Sequence, residues 1–525
     1  MSGNRAIKIC ADQKSFPEAQ AFVEKKLKNR HINAHIANET MVLFESLYNV
    51  IVSQVSSNNN ELEITSVNGL GSTDIKMVFP GKRFFVPEGD GLEHLDEKIV
   101  ESFSDKLSCS YSGGLNVIRI SVSKSAWSFV LPNFIAVIAA LIVSFVLSCV
   151  LDKAGQNMIA RDWVAPLQKL FTNAVLMISA PMTLFSLLKN VSDSFIVSER
   201  HSNSRSLFAT SFISSIVAVV IALVIGFVFV QMFLTAMHIT EGVSIENGNW
   251  SLASLVDQII PSSILEPFET LSPVPMVVVA ILVAAALCIM GKGFDVMKRA
   301  ADACYDLFSS ILEIVMAFFP LACFLLFLEV TLVENAHLYF FDILIVAVVV
   351  FVCTIPLLVT YAIRLKVHGV RVLAFTKKLL PLIKENYVMG SVIDAVPYNI
   401  RYCTMNFGFS RERLEKELPV LAQINLDGNC FILALVTAIY ILMANCHVSW
   451  IDIEMIALIA LFLSFGAPNQ PGSILIGTLI ILTYLKSDSI VSLALCFELF
   501  CGGLQNILNV ISSVVTVAEY EARGE

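Results

Sequence analysis

Apolar positions are distributed along this chain in two regimes. Over residues 1–125 short apolar runs alternate with polar ones, and none is long enough to cross a bilayer. Their spacing reads as strand, two helices, two strands, helix, strand, an α/β domain. From Trp127 onward the runs lengthen. A bilayer core about 30 Å thick needs roughly 20 apolar residues per helix. Runs of that kind lie near 129–151, 164–188, 207–236, 273–291, 307–332 and 340–363. Later stretches, 418–445, 453–485 and 490–517, are apolar but interrupted by Asn, Asp, Gly and Pro. The pattern predicts a domain over 1–125 and a membrane domain over 126–525.

Charge in the connecting segments sets an expected orientation, because Lys and Arg accumulate on the cytoplasmic side. Segments 189–206, 291–304, 364–378 and 401–417 are rich in Lys and Arg, whereas 237–272, 333–339 and 446–452 contain neither. Residues 379–400 are thus flanked by basic segments at both ends. A single crossing would place those on opposite faces. Lys384, Glu385, Asp394 and Pro397 also interrupt the run, so a re-entrant hairpin fits better than a span. Residues 453–485, turning at Gly466-Ala467-Pro468-Asn469-Gln470-Pro471-Gly472, read as its mirror image. Such a turn has to be buried in protein or line a wet cavity, since lipid leaves its backbone groups unsatisfied. Paired, oppositely directed broken elements are an inverted-repeat transporter pattern.

Composition supports the membrane assignment: 56% of the residues are hydrophobic and only 15% charged, against roughly 25% charged in soluble domains. The net charge of −9, without a basic cluster, argues against a nucleic-acid partner. The twelve cysteines are scattered without C-x-x-C pairs, so neither a zinc site nor a disulfide framework is expected. The polar N-terminus predicts no cleaved signal peptide.

The sharpest chemical feature is Asn425-Leu426-Asp427-Gly428-Asn429 inside an apolar span. An Asp at mid-membrane costs about 2.5–3.5 kcal/mol on insertion scales. A neighbouring Gly weakens the helix there, and carboxylate, amide oxygen and freed carbonyls together suit a hard monovalent cation. The alternative is a helix-packing contact made by small and polar residues. Asn509, Ser512 and Ser513 form a second polar patch in the last span, with Asn509 and Ser513 on one helix face. Alone, that patch reads as interhelical hydrogen bonding. Thr210 and Ser211 in the third span read as back-bonded hydroxyls.

Residues 131–518 resemble the dicarboxylate/amino acid:cation symporters, which include the excitatory amino acid transporters. Asn425-Leu426-Asp427-Gly428 resembles the family's N-M-D-G-T break in its seventh helix. Ile178-Ser179-Ala180-Pro181, Phe185-Ser186-Leu187, Ile260-Pro261-Ser262, Phe319-Pro320, Pro471-Gly472 and Asn509-Val510 are further matches. The resemblance implies a buried sodium site at Asp427, Asn425, Thr210 and Ser211. It implies a second ion site at Asn509, where Ser513 replaces the expected carboxylate. The family's substrate-binding Asp, Arg and Thr of the eighth helix are Gly502, Gln505 and Asn506 here. The serine-rich tip of the first hairpin is reduced to Gly390-Ser391-Val392-Ile393-Asp394, and the Thr after the seventh-helix Gly is Asn429. Without the Arg, a side-chain carboxylate loses its bidentate fixed charge. A site of Ser391, Asp394, Asn429, Gln505 and Asn506 is expected to favour a neutral polar solute, or one carboxylate held by amides and a helix N-terminus. Glu498 and Asp394 could add negative charge, and Glu498 reads equally as a structural carboxylate.

Over 1–125, Glu45 and Asn49 share a face of a helix near 38–55. This domain resembles the ATPase fold of anti-sigma-factor kinases and histidine kinases, in which such an Asn helps hold Mg-ATP. Its D-x-G appears here as Phe79-Pro80-Gly81, and the glycine-rich lid is missing. Glu45 and Asn49 are therefore nucleotide candidates in a domain expected to be non-catalytic and regulatory. A solvated helix face is the plain alternative.

The expected architecture is an α-helical polytopic membrane protein of eight transmembrane helices and two re-entrant hairpins, with an N-terminal α/β cytoplasmic domain. The resemblance implies a homotrimer in the cell membrane, in contact with lipid, moving a small-molecule solute with Na+ or H+ as coupling ion. It implies no organic cofactor, no nucleic acid and no enzymatic activity. The runner-up is a transporter-derived sensor that binds solute and signals through the N-terminal domain.

Overall fold

The protein is described from a computed structural model. It covers residues 6–29, 34–54, 61–68, 72–81, 107–112, 114–123, 130–200, 204–230, 260–289, 294–332, 347–389, 395–443, 450–466, 471–484 and 491–523, together with residues 84, 96, 100, 392 and 393. The chain divides into two compact units, residues 1–128 with 394–411, and residues 129–393 with 412–525.

The first unit holds β1 (Ala6–Cys10), α1 (Phe16–Asn29), α2 (Ala34–Gln54), β2 (Glu61–Asn68), β3 (Ser72–Pro80), β4 (Leu107–Ser112) and β5 (Leu115–Ser123). All pairings are antiparallel, in the order β1-β2-β3-β5-β4. Period-two alternation turns Leu62 and Ile64, Ile75 and Met77, and Ile118 and Ile120 to the buried side. There they form one core with Val23 and Leu27 of α1 and Phe44, Leu47 and Ile51 of α2. Tyr48 ties α2 to the chain after β1, its hydroxyl donating to the Asp12 carbonyl at 2.8 Å. Burial pushes that phenol up to about 12, so it remains a donor. Strand β4 departs from the sequence reading, which takes 105–116 as a lead-in to the last strand. Its polar sequence Leu-Ser-Cys-Ser-Tyr-Ser leaves little apolar alternation to detect. The pairing Ser112↔Leu115 leaves two residues between β4 and β5, and Gly-Gly at that place in the sequence is a turn signal in its own right.

In the second unit the spans form where apolar runs predict them, with local revisions. Six helices among the described residues are long and apolar enough to cross a membrane. The unit opens with α3 (Val130–Val150). Next, α4 (Lys153–Ile159) continues through a π-helical turn at Ala160–Val164 into α5 (Ala165–Arg200). The following helices are α6 (Ser204–Ile225), α7 (Pro273–Ile289), α8 (Phe294–Met316), α9 (Phe319–Leu332) and α10 (Ile355–Val367). The run read as one span near 307–332 is α8 plus α9, bent by 43°. Pro320, which lacks an N–H to continue α8, sits in the first turn of α9. Counted as one, the bent pair makes seven. The run near 273–291 is α7, an apolar helix of 17 residues.

The remaining elements are α11 (Val372–Met389), α12 (Val396–Phe407), α13 (Arg411–Ile424), α14 (Asp427–Met443), α15 (Trp450–Gly466), α16 (Ser473–Tyr484) and α17 (Val491–Arg523). Over the expected first hairpin, α11 packs against α17, while α12 belongs to the unit of the N-terminal sheet. The expected second hairpin is α15 and α16, with the turn residues 467–470 outside the described ones. Burial separates core from periphery. The broken span of α13 and α14 is 89% buried along its most apolar stretch, against 17% for α3. Helix α14 packs against α6, α15, α16 and α17.

Gly114 sits at φ +83° in the β4–β5 turn, where a β-branched side chain is strained. Gly114→Val should cost about 1–2 kcal/mol. Faster hydrogen exchange in β4 and β5 of the full-length protein would show it.

Candidate functional site

The site begins at the break between α13 and α14, where Asn425 and Leu426 are non-helical. Gly428 lies so close to α17 that a Cβ there would sit 2.2 Å from the Gln505 carbonyl oxygen and 2.9 Å from Asn509 Oδ1. Only glycine permits this approach. In return, the Gly428 amide donates to Asn509 Oδ1 at 2.7 Å, and Asn509 Nδ2 donates to Asn429 Oδ1 at 2.9 Å. One asparagine of α17 thus holds the first turn of α14 in place.

Asp427 is fully buried and accepts four hydroxyl hydrogen bonds. Ser214 and Ser512 donate to Oδ2 at 2.5 Å each, Tyr361 to Oδ2 at 3.0 Å, and Ser215 to Oδ1 at 2.9 Å. These come from α6, α10 and α17. The proton count is informative, because each hydroxyl carries one. Ser512 also lies 3.1 Å from Asn425 Oδ1, and its single proton serves only one of the two acceptors. All four protons can be claimed by the carboxylate, which leaves a buried amide oxygen beside a buried carboxylate with acceptor capacity to spare. Among the described residues no group of three or more His, Cys, Asp and Glu is assembled. Carboxylate, amide and hydroxyl oxygens form a hard, oxygen-only set that fits an alkali cation.

A fixed charge stands next to this shell. Arg364 donates from Nη1 to Ser214 Oγ at 2.9 Å. Its other nitrogens reach Glu519, Nε to Oε1 at 2.8 Å and Nη2 to Oε2 at 3.0 Å, and Nη2 also reaches Thr516 at 3.2 Å. The guanidinium is thus one hydroxyl away from Asp427 and is compensated by its own bidentate carboxylate.

The expected ion ligands are distributed unevenly. Asp427 and Asn425 meet, sharing Ser512, and Asn509 lies on the neighbouring turn. Thr210 instead bonds the Tyr520 hydroxyl at 3.0 Å, and buried Ser211 has no hydrogen-bond partner among the described residues. The hydroxyls that reach Asp427 from α6 are Ser214 and Ser215, one helical turn further on. That adjacent Ser-Ser pair at i+4 was the available signal for this register. Tyr361 also escapes the sequence reading. Its clue is Arg364 three residues later, at the end of an apolar run, where an ionisable group calls for a partner.

The substrate candidates fall into three groups. Asn506 lines a crevice in the second unit together with Glu498, Gly502, Tyr387 and Pro471. Gln505 and Asn429 are buried, with Gln505 Oε1 and Asn429 Nδ2 lacking hydrogen-bond partners among the described residues. Ser391 and Asp394 lie outside the described residues. Glu498 takes on a defined structural contact: it accepts the Gly472 and Leu475 amides at 2.8 and 2.9 Å, at the N-terminus of α16. Of the nucleotide candidates, Glu45 is exposed. Asn49 is tied at both ends of its amide, accepting from Gln13 at 3.1 Å and donating to Asp96 at 3.0 Å.

The sequence profile of the sodium:dicarboxylate symporter family matches residues 129–519. The chain belongs to the sodium:dicarboxylate symporter family. No curated protein matches it. Membership makes this a membrane-embedded, multi-pass protein of a transporter family, with sodium as the coupling ion that the family implies. The match takes in the helix break, the α6 serines, α10, the crevice and α17 as far as Glu519.

Two substitutions test the packing. Gly428→Ala forces a Cβ against backbone and should destabilise the protein by about 1–3 kcal/mol, read as a lower unfolding temperature in detergent. A double-mutant cycle of Arg364→Gln and Glu519→Gln should give a coupling energy of about 1–3 kcal/mol. Either single variant leaves one buried charge without its partner, so the double variant is expected to be more stable than the sum of the singles implies.

Proposed function

We propose that the protein is a secondary active symporter moving a small organic solute, of the amino acid or dicarboxylate class, with sodium or another cation. The observation that carries the reading is the cluster of oxygen atoms at Asp427 and Asn425, in which the single Ser512 proton faces two buried acceptors. Hydroxyl donors satisfy the geometry of a carboxylate but leave its charge. A bound cation removes the charge and supplies what Asn425 Oδ1 lacks. Serine and tyrosine hydroxyls reorient by single-bond rotation, so the shell can turn lone pairs toward an arriving ion without moving a helix.

Loading this site consolidates the junction of α6, α10, α14 and α17. It thereby sets the platform against which α15 and α16 close over the solute. The core then moves against the early, lipid-facing helices, driven by the cation gradient. In this reading the protein is a homotrimer with one path per protomer. Its N-terminal domain is cytoplasmic, on the side of the Lys- and Arg-rich segments, and regulates the cycle.

A second reading is a sensor that binds solute without moving it. Gly502, Gln505 and Ser513 favour it, since each stands where the resembling symporters carry a charged ligand. Saturable flux with turnover separates the two.

The test is solute uptake into proteoliposomes with and without an inward sodium gradient. Wild type should concentrate solute only with the gradient. Asp427→Asn should lose most of that dependence, by about tenfold or more, because it removes the charge and keeps the shape. Gradient-independent uptake by wild type, or normal sodium dependence in the variant, would exclude the coupling site.

A further inference from the structure

The last turn of α17 is fastened to its neighbours by three side chains. Glu519 holds Arg364 of α10, the Tyr520 hydroxyl bonds Thr210 of α6, and Arg523 reaches His368 at the end of α10. The first two contacts lie beside the shell around Asp427. The third is the outermost.

Its neighbours fix the state of the His368 ring. Nδ1 lies 2.8 Å from the Arg364 carbonyl oxygen, which can only accept, so Nδ1 carries the proton. Nε2 faces Arg523 Nε at 3.2 Å and Nη2 at 2.9 Å, and both of these can only donate. Nε2 therefore presents its lone pair, and the ring is neutral in this arrangement. A second proton has to enter between Nε2 and the guanidinium. It removes the acceptor and sets one cation against another. Solvent reaches the ring, with 19% of the side chain exposed. Histidine is also the side chain that changes charge between about pH 5 and 8.

The charged ring has another carboxylate to face. Glu519 Oε1 stands 4.0 Å from Nδ1, and His368 caps the C-terminus of α10, where the helix dipole favours a cation. That same Glu519 compensates Arg364, whose Nη1 donates to Ser214, itself a donor to Asp427. A proton on His368 thus frees Arg523 and divides Glu519 between two cations. Arg364, Glu519 and Arg523 are the charged groups at the ring. Lys366 and Arg371 flank it in the chain, and Arg413 of α13 is engaged with Glu521 at 3.5 Å. Helices α6 and α11 also pack on α10, and neither bonds the ring among the described residues.

We propose that His368 is a positioning residue of the ion site: a proton on its ring opens the His368–Arg523 clasp and weakens sodium binding at Asp427, the second effect resting on the sodium reading of that site. With Glu519 shared, more of the Arg364 charge is felt across Ser214 by a cation at Asp427. The added charge of the ring acts in the same direction.

The experiment uses full-length protein in detergent at constant ionic strength, at about pH 8 and about pH 5.5. Amide hydrogen exchange in the last turn of α17 is read, corrected for its intrinsic pH dependence. So is the sodium concentration that half-saturates the rise in unfolding temperature. In wild type, acid should lower the protection of that turn and raise half-saturating sodium. His368→Gln keeps a donor and an acceptor but cannot become charged. Its protection should be the same at both pH values, and its sodium shift should be smaller than that of wild type by about fivefold or more. Proton competition at the carboxylates of the site is common to both proteins, so the difference belongs to His368. Arg523→Ala should show, already at the higher pH, the low protection that wild type shows in acid. Protection that ignores pH in wild type, or responds alike in His368→Gln, overturns the clasp. A sodium shift of equal size in the two proteins overturns the link to the ion site. Absence of sodium binding at both pH values removes the ion site and its link to His368, while the exchange data still decide the clasp.

Discussion

A carboxylate buried in a membrane domain has to be compensated from every side, and Asp427 imposes that requirement on four helices at once. Its position at the first residue of α14 places it at a helix N-terminus, where the backbone dipole favours negative charge. Its hydroxyl donors come from α6, α10 and α17. Ser512 reaches it only where α14 and α17 touch, and they come this close only because residue 428 has no side chain. The chain break, the glycine and the three partner helices are therefore one device. Altering any of them strands a charge in low dielectric.

The pair of Arg364 and Glu519 extends this device toward the end of the spans. A buried ion pair is weak evidence of stability, because desolvation offsets much of the attraction. Its geometric effect is firmer. The guanidinium is planar, and its directions are used on α17 through Glu519 and Thr516 and on α6 through Ser214. Ser214 receives a hydrogen bond from Arg364 and gives its proton to Asp427, so its orientation is determined from two sides. The Arg364–Glu519 pair beside Asp427 is thus charge-neutral by itself, and the arginine reaches Asp427 only through the Ser214 hydroxyl.

Much of this was readable from residue order and some was not, for physical reasons. The spans were legible because lipid demands long apolar runs, and the break at Asn425-Leu426-Asp427-Gly428 because an Asp there has no bland place to be. The bend between α8 and α9 was hidden by unbroken hydrophobicity, with only Pro320 to mark it. Strand β4 was hidden because an edge strand with polar residues lacks the alternation that reveals buried strands. The α6 hydroxyls that reach Asp427 lie one turn beyond those singled out in the sequence, and Thr210-Ser211 and Ser214-Ser215 occupy the same helix face. Rotation about the helix axis is legible in sequence, whereas translation along it is decided by packing against α14. A structural role for Glu498 was one of two readings the sequence left open, and its partners stayed hidden because they are backbone amides that nearly every residue carries.

Two of the buried carboxylates of the core, Asp427 and Glu498, are held by donors of different mobility. Asp427 is held by side-chain hydroxyls, which can rotate and present lone pairs while the helices stay in place. Glu498 is held by the amides of Gly472 and Leu475, which move only with α16 itself. A cation arriving at Asp427 therefore meets a local, low-cost rearrangement. At Glu498 there is no such freedom, because its hydrogen bonds are the attachment of α16 to α17. The first site suits an ion that stabilises the core in one arrangement. The second suits the fastening of a helix end, and the choice of hydroxyl or amide as hydrogen-bond donor is what separates the two.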